Sequence, residues 1–284
     1  MYKLKHSKDF DLEQIADSGQ CFRINKVGEN QFSIVAQGKL LIVDVVEDGY
    51  LLHCTEHQFD KRWRRYFDLD TDYGMVKNSV HAKYPEDNLI ADAINHAPGM
   101  RILRQEPWEM IISFIISQRK NIPAIKKSIE SICEKYGYFV GTYKEKNYYS
   151  FPSPYSIVSG GIEQLKETGV GYRAEYIMKA AEAVIDGSLD IAAIQKMTYE
   201  ETMDYLMKFK GIGLKVANCI SLYGLHHMDA FPKDVWMQRM IDEDYQGNVP
   251  EWCMSGCAGI IQQYVFYYKR TNRKRGKKNV RVTD

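Results

Sequence analysis

The chain has 284 residues, 45% hydrophobic, 26% charged and 12% aromatic. This composition excludes a disordered or collagen-like chain and suits one large unit or two tightly packed ones. The net charge of +1 argues at face value against a strongly basic nucleic-acid binder, but it is a cancellation: from Lys269 onward there are eight basic residues and one acid, so residues 1–268 are net acidic.

In chain order, Met1–Lys8 leads into Asp-containing sequence without an apolar run, so no signal peptide is expected. Residues 31–36, 39–46 and 50–54 are β-branched or aromatic runs separated by Gly38 and Glu47-Asp48-Gly49, which predicts an antiparallel meander. After about Tyr84 the spacing of apolar residues turns helical, over 86–96, 107–119, 122–136, 172–186, 199–209, 214–224, 234–244 and 255–268. Pro107 and Pro154 fall where a first helical turn tolerates proline, and Thr198-Tyr-Glu-Glu201 has the form of a capping box. The most apolar stretch, Met110–Ile116, is too short to span a bilayer. Six scattered cysteines suit reduced thiols, and Cys253 with Cys257 lacks neighbouring ligands, so neither metal nor cofactor is expected. The predicted fold class is α+β. A small N-terminal antiparallel sheet domain (1–95) packs on a large helical body (96–268), followed by a basic C-terminal tail (269–284). An intracellular monomer with no membrane partner is expected, cytoplasmic in a prokaryote or nuclear in a eukaryote.

The most informative stretch is 206–224. An amphipathic helix ends at Gly211-Ile212-Gly213 and a second begins at once. The glycines permit a sharp turn, Ile212 can be pinned between the helices, and free N–H groups at the second helix start favour an anion such as phosphate. On the second helix Lys215, Cys219 and Tyr223 share one face at i, i+4 and i+8. The helix start opposes positive charge at Lys215 and so favours the free amine that a nucleophile requires. A phosphate-contacting or solvated lysine is the plainer fate of such a residue. Nineteen residues on, after a loop holding Gly224 and Pro232, Asp234 opens another helix. An N-cap accounts for that aspartate alone, yet beside a lysine its carboxylate can also stabilise a sugar cation.

Together these motifs resemble the helix-hairpin-helix, Gly/Pro-Asp superfamily of DNA glycosylases, specifically its 8-oxoguanine DNA glycosylase family in a bacterial-type form. The likeness runs from about Ser18 to Phe266 through Ser18-Gly-Gln-Cys-Phe-Arg23, Leu103–Trp108, Ser113–Ser117, Gly169–Ala174, the hairpin, Asp234, Gln262 and Phe266. The resemblance implies a bifunctional DNA glycosylase/AP lyase acting on double-stranded DNA that contains 8-oxoguanine. Lys215 would attack C1′ and form a Schiff base, with Asp234 stabilising the sugar cation. The flipped base would meet the Gly19 carbonyl, which accepts the N7–H that guanine lacks. Cys219 and Phe266 would cover its faces and Gln262 would read its Watson–Crick edge. Tyr172 and Arg173 match the wedge that fills the vacated stack and meets the estranged base. Gly211, Gly213 and Trp236 match backbone-contact positions, the last where the family usually has a histidine. The segment Ser117–Ala124 departs from the family's eukaryotic pattern. Arg119 replaces the first residue of an Asn-rich run that keeps Asn121, and Ala124 replaces a following arginine. Weak discrimination of the opposite base follows. A non-catalytic DNA-binding module and a monofunctional glycosylase for alkylated bases are the competing readings; Lys215 with Asp234 argues against the first, and Lys215 with the Gly19 loop against the second.

Overall fold

A computed structural model describes residues 1–279, with side chains through Asn272; of the basic tail, positions 280–284 and the side chains from 273 on lie outside the described residues. The N-terminal sheet is antiparallel, in the order β1-β5-β4-β3-β2. Its strands are β1 Tyr2–Lys5, β2 Ile24–Gly28, β3 Gln31–Ala36, β4 Lys39–Val46 and β5 Gly49–Leu52. Gln37 and Gly38 both have positive φ, 51° and 65°, the backbone that a two-residue hairpin needs to match strand twist. Gly49 is required for another reason: a Cβ there would lie 2.2 Å from the Leu4 carbonyl oxygen, because β1 runs against β5. Phe32, Ile34, Leu41, Val43 and Leu52 bury one face of the sheet against Leu12, Ile15, Phe59, Trp63 and Phe67. The meander expected over 31–54 is present. Its flanking strands β1 and β2, and a second hairpin of β6 Phe139–Tyr143 and β7 Lys146–Tyr149, were not foreseen.

The helical body is organised around the helix Pro107–Ser117, whose residues from Glu109 to Ile116 are all buried. A helix apolar on every side has to lie inside the core. The hairpin's second helix, Leu214–Leu225, packs along it, with Gly224 against Met110. The helix Ala258–Asn279 passes unbroken through residue 269, close against Leu222 at Gly259. Helix starts follow the sequence signals: Pro107 and Pro154 occupy first turns, and Thr198 with Glu201 forms the capping box.

Sheet and body are joined by buried polar side chains rather than by apolar contact alone. Arg101, 6% exposed, donates to the carbonyls of Asp9, Asp68 and Thr71 and lies over the Tyr73 ring. Gln20 donates to Arg101 O and accepts from Leu103 N. Arg23 pairs with Glu130 at 3.2 Å and donates to Tyr149 O at 2.6 Å. Each satisfies backbone groups that a connecting segment would otherwise bury unpaired. Among the described residues no helix is long and apolar enough to cross a membrane.

Candidate active site

The hairpin's first helix, Tyr199–Leu206, stops earlier than the apolar spacing suggests. Successive three-residue turns, Phe209 N to Leu206 O and Ile212 N to Phe209 O, lead from it to the glycines. Ile212 is buried in the main core. Gly211 has φ +93°, and a Cβ there would lie 2.5 Å from Tyr176 Cγ, so only glycine fits. Gly213 caps the second helix without a side-chain bond, which leaves N–H groups of its first turn to an outside acceptor.

Lys215, in the first turn, sends its amine to Ser117 at the end of the central helix. Nζ lies 3.4 Å from Ser117 Oγ and 5.5 Å from the Phe114 ring centroid. Leu214–Leu225 ends at His226, left-handed at φ 65°. Asn218 draws the following loop back, its Oδ1 accepting from Phe231 N and Tyr199 OH at 2.9 Å each. The loop delivers Asp234, whose Oδ1 accepts from Trp236 N and Met237 N at 2.9 and 3.0 Å. Both cap bonds fall on one oxygen, so the second stands outside the cap. Capping and a place in the cavity therefore coexist in one residue. Burial raises the Asp234 carboxyl above its ordinary range, although the cap bonds and Lys215 oppose the shift.

Lys215 and Asp234 line a cleft of about 490 Å³ with Gly19, Phe114, Ser117, Lys120, Asn121, Ile122, Trp236 and Phe266. A smaller recess of about 50 Å³ opens from the same residues and is closed by Ser18, Cys219, Tyr223, Pro232 and Gln262. Two larger open hollows lie nearby, lined in part by Asp92, Arg239 and Glu243 and by Lys83, Glu86 and Asp87. They contain neither Lys215 nor Asp234, so volume does not mark the chemistry here. Gly19, at φ +78°, stands where a Cβ would press on Ile122 Cδ1 at 3.2 Å and Phe266 Cε1 at 3.3 Å. Gln262 is 3% exposed; its Oε1 lies 3.3 Å from Tyr223 OH and its Nε2 reaches Pro232 O at 3.5 Å. Burial raises the Cys219 thiol, and neighbouring Lys215 lowers it. Among the described residues no cluster of His, Cys, Asp or Glu is arranged to hold a metal.

Residues separated by over 200 positions thus meet in one cavity: Gly19, Cys219, Asp234, Gln262 and Phe266. Several partners escaped the sequence reading. Gln263 holds the recognition loop, accepting from Tyr223 OH at 2.6 Å and donating to Ser18 O at 3.0 Å. Its only trace in the sequence is a second glutamine, beside Gln262, in an otherwise apolar run. Phe114 and Lys120 lie within the stretches Ser113–Ser117 and Ser117–Ala124 singled out in the sequence, but without a role of their own.

The side chains expected on the opposite-strand face divide. Tyr172 is 53% exposed and Arg119 is exposed, at φ 52°. Arg173, expected beside Tyr172 on the surface, is instead 6% exposed. Its guanidinium donates through two nitrogens to Gln118 O and through the third to Val170 O. Asn121 caps the helix Ile122–Tyr136, its Oδ1 accepting from Ala124 N. Trp236 sits at the cleft mouth under Arg239. Of the tail residues, Lys269 pairs with Glu243 and Asp244, and Arg270, 7% exposed, is bound to Asp17.

Residues 3–111 match the family model described as 8-oxoguanine DNA glycosylase, N-terminal domain, and residues 112–250 match that of the HhH-GPD superfamily base excision DNA repair protein. A probable N-glycosylase/DNA lyase of Methanothermobacter thermautotrophicus is 31% identical over 84% of each chain. The N-glycosylase/DNA lyase of Saccharomyces cerevisiae is 35% identical over 64% of this chain, which spans half of that protein's length. The fold superposes with a TM-score of 0.86 on the 8-oxoguanine glycosylase/lyase of Clostridium acetobutylicum bound to duplex DNA with cytosine opposite 8-oxoguanine; that protein is 33% identical, and the match covers 93% of each chain. MBOgg1, solved with a low-affinity DNA ligand, also gives 0.86 at 34% identity, over 95% of this chain and 99% of that one. The chain belongs to the HhH-GPD superfamily of base excision DNA repair proteins, in the family that carries the 8-oxoguanine DNA glycosylase N-terminal domain.

Proposed function

We propose that the chain is a bifunctional DNA glycosylase/AP lyase that removes 8-oxoguanine from double-stranded DNA in base excision repair, acting inside the cell. One observation carries the reading: Lys215 and Asp234 both line the cleft and its recess, together with Gly19 and Phe266 in both and with Cys219 and Gln262 in the recess. A cleft of this size suits a small flipped-out ligand.

Lys215 Nζ, as the free amine, attacks C1′ while the bond from C1′ to the base breaks and the base departs with the bonding electrons. The positive charge that develops on the sugar lies next to Asp234, whose carboxylate stabilises it. The amine nitrogen loses its protons as the sugar ring opens to a Schiff base. Loss of a C2′ proton then expels the 3′ phosphate, and hydrolysis frees Lys215. Base selection rests on the Gly19 carbonyl facing N7–H, on Gln262 at the Watson–Crick edge and on Cys219 with Phe266 across the ring faces. The strand is held by the amides at Gly211 and Gly213 and near Trp236, and Tyr172 fills the gap in the stack. Excision depends weakly on the opposite base, because Arg173 and Asn121 are committed to backbone partners and Arg119 stands in place of a shorter asparagine.

Borohydride reduction during incubation with an 8-oxoguanine duplex tests the reading. The expected result is a covalent protein–DNA adduct, lost in Lys215→Gln. Excision without an adduct would assign the chain to monofunctional glycosylases, and no excision at all would leave it a binding module. A strong preference for duplexes with cytosine opposite the lesion would overturn the weak-discrimination part alone.

A further inference from the structure

Three short segments are bonded to one another beside the cleft: the turn Gly211–Gly213, the loop Gly169–Tyr172 and the segment Ser117–Asn121, the last of which lines it with Ser117, Lys120 and Asn121. Two independent routes tie the first two together, and both end on Gly211. Along the first, Arg173 donates to Gln118 O, while the Gln118 side-chain amide donates to Gly211 O at 3.0 Å and Ile115 O at 3.1 Å. Lys120 braces the same corner, donating to Gly169 O and Ser128 Oγ at 2.6 Å each. Along the second, the Tyr172 ring meets Tyr176 edge-on at 6.0 Å, and the Tyr176 ring covers Gly211 so closely that no Cβ fits.

We infer that Gln118 and Tyr176 are positioning residues that hold the stack-filling Tyr172 at a fixed distance from the phosphate-binding turn, with Arg173 a strut in that assembly rather than a reader of the estranged base. The physical need is register. A wedge must enter one particular base step, and steps repeat about every 3.4 Å along a strand. A phosphate grip carries no sequence information of its own, so the lesion is presented to Lys215 only if grip and wedge keep a set spacing. A glutamine suits the task because its amide donates to two carbonyls while its backbone oxygen accepts from the arginine. This inference rests on the proposed glycosylase/lyase reading for its functional consequence, not for its geometry.

Gln118→Ala and the nearly isosteric Gln118→Glu, which removes the donor without removing bulk, test it alongside Tyr176→Leu. In the free proteins, amide hydrogen exchange should rise together in 169–172 and 211–213, while the core of Pro107–Ser117 stays protected. Single-turnover excision from an 8-oxoguanine duplex should fall about tenfold or more, since misplacement by about 1 Å costs up to about a hundredfold. Borohydride trapping on a single-stranded abasic oligonucleotide, which needs no wedge, should fall far less, and affinity for undamaged duplex should change little. Exchange confined to residue 118 and its neighbours, or equal losses on duplex and single strand, would overturn the inference. Absence of excision and trapping in the unsubstituted protein would instead overturn the glycosylase reading, leaving the exchange result to decide on the positioning by Gln118 and Tyr176.

Discussion

Asp234→Asn separates the two tasks of one carboxylate. The asparagine oxygen can accept the same bonds from Trp236 N and Met237 N that Asp234 Oδ1 accepts, so the cap of Val235–Asp244 survives. Asp234→Ala removes it at a cost of about 1 kcal/mol. Burial raises the carboxyl in the folded state. A raised acid contributes stability that is fully present below its unfolded value and lost as pH rises through the folded one. At neutral pH the wild-type charge is therefore a liability to the fold, and Asp234→Asn should be as stable or more so. Catalysis moves the other way. A carboxylate about 4 Å from a sugar cation, at an effective dielectric of about 20, is worth about 4 kcal/mol. Screening through the open cleft reduces this, so the expected loss is roughly a hundred- to a thousandfold. Single-turnover excision at saturating enzyme, with thermal unfolding of both variants in parallel, is the assay. In the wild type the rate should also decline with falling pH from above the ordinary aspartate range, a limb absent in the Asn variant. Excision by Asp234→Asn within about fivefold of wild type would refute the electrostatic role.

Other consequences can be measured directly. Burial lifts the Glu109 carboxyl from 4.5 to about 8, with Arg23 opposing and Glu106 and Glu130 reinforcing the shift. Its contribution is present below about 4.5 and lost as pH rises to 8, so Glu109→Gln should match wild type at acidic pH and gain on it by at most about 1.4 kcal/mol per pH unit, read from denaturant midpoints. Arg101→Ala strands the carbonyls of Asp9, Asp68 and Thr71, and a loss of about 3 kcal/mol or more is expected; a loss under about 1 kcal/mol would mean that water replaces the guanidinium. Gly19→Ala places a methyl against Phe266 and Ile122 in a left-handed backbone, so excision should drop while trapping on a pre-formed abasic site persists; equal losses on the two would count against base recognition at Gly19. Truncation after Asn272 keeps Lys269 and Arg270 on their acidic partners and removes the remaining basic tail. Binding to undamaged DNA should then weaken, with a shallower salt dependence, and an unchanged slope would leave residues 273–284 without a DNA role.

Much of this protein is legible before folding because it rests on short-range physics. The strands from Gln31 to Leu52 follow from alternation and turn residues. The helices Pro107–Ser117, Ile122–Tyr136 and Leu214–Leu225 follow from apolar spacing, prolines and caps. The juxtaposition of Lys215 with Cys219 follows from four-residue spacing on a helix. Short edge strands such as Tyr2–Lys5 are not legible, since four alternating residues gain their identity only from the partner strand.

The sequence by itself determined the α+β class, the glycine turn, the nucleophile candidate and the family resemblance, all encoded in local spacing and residue type. Only the tertiary structure decided which surface each side chain faces. Arg173 reads as an exposed companion of Tyr172 until the Gln118 and Val170 carbonyls bury it. Arg270 reads as the start of a loose basic tail until Asp17, 253 positions away, takes it. Gln263 is indistinguishable from Gln262 until Tyr223 and Ser18 claim it. In each case at least one partner is a polar group brought in from a distant segment, and a buried donor has to find its acceptor wherever the fold has put one.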